Sequence, residues 1–122
     1  MMETLSKRLG VVLGVEAIGT ALLCATFDLT GSVLVNSTMY FLCVLLTYQL
    51  SFAMLNPALT FALYLADGKY KENAFTAGLI IGAQVTGAFL GLEFALLLRF
   101  IYPSGAGYLA VPAFLDHLPG IQ

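Results

Sequence analysis

The fold of this chain depends on one short stretch, Leu55-Asn56-Pro57-Ala58-Leu59-Thr60. Asn56 is a good helix N-cap, because its side-chain oxygen can accept a hydrogen bond from a backbone N–H that has no helical partner. Pro57 suits the first helical position, where no hydrogen bond is lost and φ is already set. The stretch therefore predicts an apolar helix over 57–66 that ends at the turn signal Asp67-Gly68. Such a helix would be roughly 15 Å long, half of the ~30 Å that a bilayer core requires.

The composition indicates that the whole chain lies in a membrane. Of its 122 residues, 60% are apolar and only 10% are charged, and the mean hydropathy is +0.93. A soluble domain has about half apolar and a quarter charged residues. We therefore expect a single all-α integral membrane domain over residues 1–122. Its net charge of −2 includes no basic patch that would indicate a nucleic acid partner.

The apolar runs predict three transmembrane helices and one re-entrant half-helix. The spans are expected at about 9–27, 33–50 and 74–98, the half-helix at 57–66, and a tail at 103–122. One span from Val33 to Leu65 would be too long for a single crossing, and Asn56-Pro57 interrupts it. Residues 67–73 are expected to form a polar loop in water. A helix end at mid-membrane is tolerated only where protein or a wet cavity surrounds it.

The basic residues predict an orientation. Lys7 and Arg8 precede the first span and Lys69 and Lys71 follow the half-helix, which leaves Arg99 on the opposite face. The positive-inside rule therefore predicts that the N-terminus is cytoplasmic, or at the equivalent face of an organelle, without indicating which membrane. A basic pair before an apolar run also fits a signal peptide, but the similar segments that follow favour a retained first span.

Small residues four positions apart predict where helices pack closely, because such residues let two backbones approach in lipid. They are Gly10, Gly14, Ala83, Gly87 and Gly91. Glycine is also common in membrane helices in general, so the longer ridge from Ala83 to Gly91 is the stronger indication of packing.

No group of residues indicates catalysis. Cys24 and Cys43 lie in apolar segments and are interpreted as buried small apolar residues, not as a disulfide. His117 stands alone in the tail, without the neighbours that a metal site needs. The chain has no nucleophile–base pair and no glycine-rich phosphate loop, so we expect neither an enzyme nor a cofactor or metal.

Three motifs follow one another along the chain: Glu16-Ala17-Ile18-Gly19-Thr20, Asn56-Pro57-Ala58 and Ala83-Gln84-Val85-Thr86-Gly87. In this order they resemble the first helix, the Asn-Pro-Ala signature and the third helix of the aquaporin and glycerol-facilitator family, also called the major intrinsic proteins. The resemblance extends over nearly the whole chain. It implies a fold of three spans and one half-helix.

The resemblance covers only half of a family member. The family's fold is an inverted repeat of two such units, whose half-helices meet at mid-membrane and place two Asn side chains beside a single-file water path. This chain has one Asn-Pro-Ala and lacks the second unit's filter arginine. We expect a second membrane chain to supply the missing half, unless the chain is itself the first half of a longer channel. Antiparallel self-pairing would also restore the repeat, but the four-to-one distribution of basic residues disfavours it.

The resemblance also implies roles for the polar residues. Asn56 would direct its N–H₂ at a passing water or hydroxyl, and the half-helix dipole would repel cations. The alternative is that Asn56 only caps a helix. Glu16 would accept hydrogen bonds from the backbone before the half-helix, which we favour over proton transfer. Gln84 would join the same network or make one interhelical hydrogen bond. Independently of the resemblance, Glu93 lies near the far end of the third span and is expected to snorkel towards Arg99.

Three positions depart from the family pattern. Phe52 stands where a glycine is usual and Met54 where a histidine is frequent, so both are expected to narrow the cytoplasmic mouth. Asn36 lies near a second-helix position that is often aromatic in water-selective members. The expected function is a half-channel for passive passage of water or small neutral solutes. The alternative is a non-conducting structural subunit of a larger membrane complex, which the two large side chains and the missing half favour.

Overall fold

The computed structural model describes residues 1–102, and these form five α-helices without a strand. The helices are α1 (Met2–Ser6), α2 (Leu9–Thr30), α3 (Val33–Ser51), α4 (Pro57–Asp67) and α5 (Tyr70–Ile101). The predicted tail, 103–122, and His117 within it lie outside the described residues.

Three of these helices, α2, α3 and α5, are long and apolar enough to cross a membrane. The all-helical class and the three candidate spans predicted from the sequence are thus confirmed. The residues before the first span form α1, in which Met2 and Leu5 are almost fully buried against the other helices. One local expectation is wrong. The polar loop contains only Gly68 and Lys69, because the next residues already belong to α5.

Hydrogen bonds explain why α5 begins four residues earlier than expected. The Asn73 side chain donates to Asp67 Oδ2 at 2.7 Å, and the Tyr64 hydroxyl donates to the Tyr70 carbonyl at 3.1 Å. Gly68 has φ +68°, a left-handed conformation in which glycine pays no steric penalty. The polar segment is therefore folded onto the end of α4, where Asn73 is buried while Gly68 to Glu72 stay exposed.

Helices α2 and α5 lie side by side and run in the same direction. Gly87 faces Ala17, and four residues later Gly91 faces Ala21. A Cβ at Gly87 would lie 2.9 Å from the Ala17 Cα, and one at Gly91 would lie 2.8 Å from the Ala21 Cα. Only glycine lets the two backbones come this close.

Helix α3 packs on α2 and is the most exposed of the three. A two-residue turn joins the two helices, with Gly31 at φ +58° and Ser32 as the N-cap of α3. Only Cys43 and Ser51 of α3 are buried, whereas Val33, Leu34 and Leu46 are each more than 75% exposed. So much apolar surface on one helix suits contact with lipid or with another chain.

Helix α4 begins beside the middle of α2 and α5 and ends beside their N-terminal ends. Leu55, just before the helix, packs against Gly19, and Thr60 in its first turn bonds to Gln84. At the other end, Asp67 Oδ1 lies 3.1 Å from the Met1 ammonium. The main apolar core fills the same half of the molecule, and its buried members are Met2, Leu5, Val12, Met54, Ala77 and Ile80.

Candidate functional site

The link between α3 and α4 has an unusual backbone. Phe52, Ala53 and Leu55 have φ values of 60°, 49° and 45°. For a residue with a side chain, this left-handed region costs about 1–2 kcal/mol. A link in which three of four consecutive residues adopt this conformation would not keep it in isolation. Contacts from the rest of the molecule must therefore hold the link in place.

Glu16 of α2 supplies those contacts. Its carboxylate is fully buried and accepts hydrogen bonds from the backbone N–H of Met54, at 3.1 Å, and of Leu55, at 2.6 Å. Both N–H groups belong to the link, where no helix or strand provides them with a partner. One side chain from the middle of α2 thereby satisfies the buried backbone immediately before α4.

Gln84 of α5 completes the network. Its Nε2 donates to Glu16 Oε2 at 2.6 Å and to Thr60 Oγ1 at 2.9 Å, and it is fully buried. The Thr60 hydroxyl also bonds to the carbonyl oxygen of Asn56, at 3.2 Å. The network therefore joins α2, α5, the link and the first turn of α4. Satisfied networks of this kind in a low-dielectric interior define a single geometry.

Asn56 lies at the end of this network and faces away from it. Its Oδ1 accepts from the Ala58 N–H at 2.9 Å, so Asn56 is the N-cap and Pro57 is the first residue of α4. The side-chain Nδ2 has no partner among residues 1–102. Asn56 is exposed, and it presents this donor beside the positive end of the α4 dipole.

A groove of about 730 Å³ opens in front of Asn56. We call this space the groove; it lies between α2, α3 and α5 and begins at the N-terminus of α4. Thr20, Cys24 and Asp28 of α2 line it at intervals of one helical turn, and Asn36 of α3 faces it as well. The α5 wall beyond Gln84 is apolar and consists of Val85, Ala88, Phe89 and Leu92.

The structure does not place the two predicted pore-narrowing side chains in the groove. Met54 is fully buried in the apolar core, and Phe52 packs against that core. The groove lies on the side of Asn56 that is away from the N-terminal face, so the expectation that the two side chains narrow the cytoplasmic mouth stays a prediction. Asn36, the third departure from the family pattern, lines the groove.

The predicted packing residues divide into two groups. Gly87 and Gly91 meet the α2 backbone, and Ala83 is half-buried on the same helix. Gly10 and Gly14 are exposed, and a Cβ on either would meet no atom of residues 1–102 within 4 Å. Spacing alone did not distinguish them, because it does not indicate which helix face is covered.

Several functional contacts were missed by the sequence reasoning. A Cβ at Gly19 would lie 2.5 Å from Leu55 Cδ2, so this glycine makes room for the link. Thr60, in the first turn of α4, was not singled out. Its position in the sequence could have indicated the contact. A hydroxyl on the fourth residue of a helix needs a hydrogen-bond partner when it is buried, and Gln84 provides one.

Arg99 pairs with Asp28, not with Glu93. Its guanidinium lies 3.2 Å from Asp28 Oδ2 and also donates to the Asp28 carbonyl, whereas Glu93 is exposed. The reason is that α2 and α5 are parallel, which brings the C-terminal ends of the two helices together. The contact fastens the end of the groove that is farther from Asn56.

Both cysteines are free thiols in the structure. Cys43 is buried, but Cys24 is only half-buried because it faces the groove, so its interpretation as a buried residue is wrong. Among residues 1–102, no three His, Cys, Asp or Glu side chains come together as metal ligands would.

The comparisons with known proteins show no relatives. Neither a protein-family model, nor a curated protein, nor a solved structure matches this chain.

Proposed function

We propose that this chain is one half of an aquaporin-like channel for passive passage of water or small neutral solutes, and that a second membrane chain supplies the other half. The observation that carries the proposal is the position of Asn56. It caps α4 halfway along two helices of membrane-spanning length and presents an amide donor to the groove. An apolar chain seldom leaves such a group at this depth unless a polar molecule reaches it.

The dimensions of α4 support a re-entrant half-helix. Its 11 residues extend over about 16 Å, roughly half of a bilayer core. It begins beside Gly19 and Gln84 and ends beside Met1. In a bilayer spanned by α2, α3 and α5, α4 would therefore enter from the N-terminal face and stop near the midplane.

The charges support an orientation for this arrangement. Because α2 and α5 are parallel, Lys7, Arg8, Lys69 and Lys71 lie at the same end of the molecule. At the other end, Arg99 is paired with Asp28. The positive-inside rule then assigns the N-terminal end to the cytoplasmic face or its organellar equivalent.

The chemistry at Asn56 suits an uncharged solute. An amide N–H donates to a water or hydroxyl oxygen, and the positive end of the α4 dipole opposes a cation at the same point. The nearest carboxylate, Glu16, is fully buried and already accepts three hydrogen bonds. The site thus has a fixed donor and dipole, and Asp28, the carboxylate that lines the groove farther along, is paired with Arg99.

The experiment measures osmotic water permeability. The full chain would be purified with its natural membrane partner by mild detergent extraction, reconstituted in proteoliposomes and followed by stopped-flow light scattering. We expect faster shrinkage than in empty liposomes, and we expect Asn56→Leu to abolish the gain. Ser37→Leu is the matched control, because Ser37 lies on the exposed surface of α3 outside the groove lining.

A second candidate function is a non-conducting structural subunit. The apolar α5 wall of the groove, with Val85, Phe89 and Leu92 all exposed, favours it because another helix could pack there. Water permeability equal to that of empty liposomes, measured on the intact complex, would contradict the channel and support this alternative.

A further inference from the structure

We propose that the outer face of α5 is a docking surface for a transmembrane helix of a different protein, and that this helix carries a lysine or arginine that pairs with Glu93. The outer face is the side of α5 that points away from α2, and Gly78, Gly82, Thr86 and Glu93 are exposed along it. The inference is independent of the proposed function, because it involves neither Asn56 nor the groove.

The outer face lies opposite the contact between α2 and α5. Gly82 and Gly91 are separated by about two and a half helical turns, so they point to opposite sides of α5. Gly91 meets the Ala21 backbone, whereas a Cβ at Gly82 would meet no atom of residues 1–102 within 4 Å. Glu93 lies within about 20° of Gly82 around the helix axis and is exposed. No part of the described chain therefore covers Glu93.

Glu93 lies at a depth where an unpaired carboxylate is costly. The polar ends of α5 are marked by Asn73, which bonds to Asp67, and by Arg99, and Thr86 is midway between them. Glu93 is about 10 Å beyond Thr86, whereas the hydrocarbon core extends roughly 15 Å from its middle. Ionisable residues at such a depth are rare in membrane helices and are ordinarily paired.

Lipid headgroups are poorly placed to be the partner of Glu93. The Cα–Cβ bonds of an α-helix tilt towards its N-terminus, so the Glu93 side chain leans towards the middle of the bilayer and away from the nearer headgroups. The side chains beside it on the surface of α5 are apolar and more than half exposed; they are Phe89, Leu90 and Leu97. The carboxylate is therefore surrounded by apolar surface, and a protein partner is the better source of a cation.

The charge of Glu93 decides which chain fits the outer face. Arg99, the only cation at this end of the described chain, already pairs with Asp28, and the other four lysine and arginine residues lie at the opposite end. A second copy in the same orientation would bring no available cation to this depth. About a two-fold axis, it would place one Glu93 beside the other. A different protein that supplies the opposite charge is the complementary occupant.

The shape of the outer face suits a closely packed helix. Gly78 and Gly82 are four residues apart, and a Cβ on either would have open space around it in the described chain. Small residues at this spacing let a second backbone approach in lipid. The Thr86 hydroxyl donates to the Gly82 carbonyl at 2.9 Å, so it asks nothing of the partner. A helix seated here reaches Glu93 about 16 Å farther along α5.

The test measures how synthetic transmembrane helices bind the full chain in liposomes, by fluorescence energy transfer. The chain carries a donor dye on its C-terminal residue, and two polyleucine peptides carry an acceptor dye. One peptide has a single lysine about 10 Å from its middle, and the other has leucine at that position. We expect the lysine peptide to bind roughly fivefold more tightly than the leucine peptide, because only its ammonium pairs with Glu93.

Two substitutions locate the binding on the outer face. Glu93→Leu should remove the preference for the lysine peptide, and Gly82→Ile should weaken binding of that peptide several-fold because it blocks the close approach. Ser37→Ile is the matched control for Gly82→Ile, since Ser37 is exposed on α3, and it should leave binding unchanged. Circular dichroism of each variant would check that the helices are intact.

Three results would overturn the inference. Equal binding of the two peptides to the wild type would show that Glu93 does not recruit a cation. A preference for lysine that persists in Glu93→Leu would place the pairing elsewhere on the chain. Energy transfer between two labelled copies of the chain that Gly82→Ile abolishes would assign the outer face to a second copy. None of these measurements involves water permeability, so their failure is distinguishable from a failure of the proposed channel.

Discussion

The two halves of the bundle are built in different ways, although the same helices run through both. In the half around the N-terminal ends of α2 and α5, α1 and α4 fill the interior; we call this the filled half. In the other half, which contains the groove, nothing among residues 1–102 occupies the corresponding space. We call it the open half. Helix α4 explains the difference, because its 11 residues fill only half of the bundle's length.

The contacts that hold the two halves together differ accordingly. The filled half has the apolar core and the Glu16–Gln84–Thr60 hydrogen bonds. The open half has the close backbone contact at Gly91 and the Asp28–Arg99 pair. A membrane protein can thus form a stable scaffold from one half while leaving polar groups available in the other. The boundary between them is the N-terminus of α4.

The largest expected effect is in the filled half, at Glu16. In Glu16→Leu, the N–H groups of Met54 and Leu55 and the Gln84 amide lose their acceptor. At about 1–3 kcal/mol for each unsatisfied buried donor, the free energy of unfolding should fall by at least about 3 kcal/mol. The measurement is unfolding in mixed micelles with increasing sodium dodecyl sulfate, followed by circular dichroism.

Glu16→Gln is the matched control for this substitution. It keeps one side-chain oxygen as an acceptor, so its loss of stability should be smaller than that of Glu16→Leu. Equal unfolding midpoints for wild type and Glu16→Leu would show that the link does not depend on the carboxylate.

The next effect is expected in the open half, at Gly91. A Cβ there would lie 2.8 Å from the Ala21 Cα, and a backbone atom cannot move aside alone. Gly91→Ala should therefore separate α2 from α5 and cost about 1–3 kcal/mol, as overpacking usually does.

Gly82→Ala on the same helix is the control for Gly91→Ala. A Cβ at Gly82 meets nothing within 4 Å in the described chain, so this change should be neutral or stabilise the helix by up to about 1 kcal/mol. Both would be measured by the same micelle unfolding. Equal effects of the two substitutions would refute the close contact between α2 and α5.

The smallest effect concerns the outer edge of the filled half and depends on pH. A hydrogen bond from the Met1 ammonium, with a lesser one from Asn73, holds the pKa of Asp67 below its ordinary value of 3.8. Because the pKa is lowered in the folded state, the stabilisation is complete above the unfolded-state value. It is lost as the pH falls through the lowered pKa.

This pH effect would be followed by unfolding midpoints between pH 6 and pH 2. The wild type should lose a little more stability at the acidic end than Asp67→Asn, which has no carboxylate to protonate. Identical pH profiles would show that the contact between Asp67 and the N-terminus contributes nothing measurable.

The candidate site was predictable from the sequence only in part. A carboxylate and an amide within apolar segments singled out Glu16 and Gln84, and the structure has their polar atoms 2.6 Å apart. The packing glycines show the limit of such reasoning. Gly10 and Gly91 belong to the same kind of four-residue pattern, yet only Gly91 faces another helix. Which face is covered depends on the position of a neighbouring helix, and spacing carries no information about that.

The sequence by itself determined the helical class, the three segments of membrane-spanning length and the start of α4. These properties are local, because they follow from the length of apolar runs and from the capping chemistry of Asn56 and Pro57. Only the tertiary structure decided which residues meet. The left-handed backbone of the link, the pairing of Asp28 with Arg99 and the opening of the groove all require that α2 and α5 lie parallel and in contact. That arrangement joins residues up to 71 positions apart, and no local pattern in the chain specifies it.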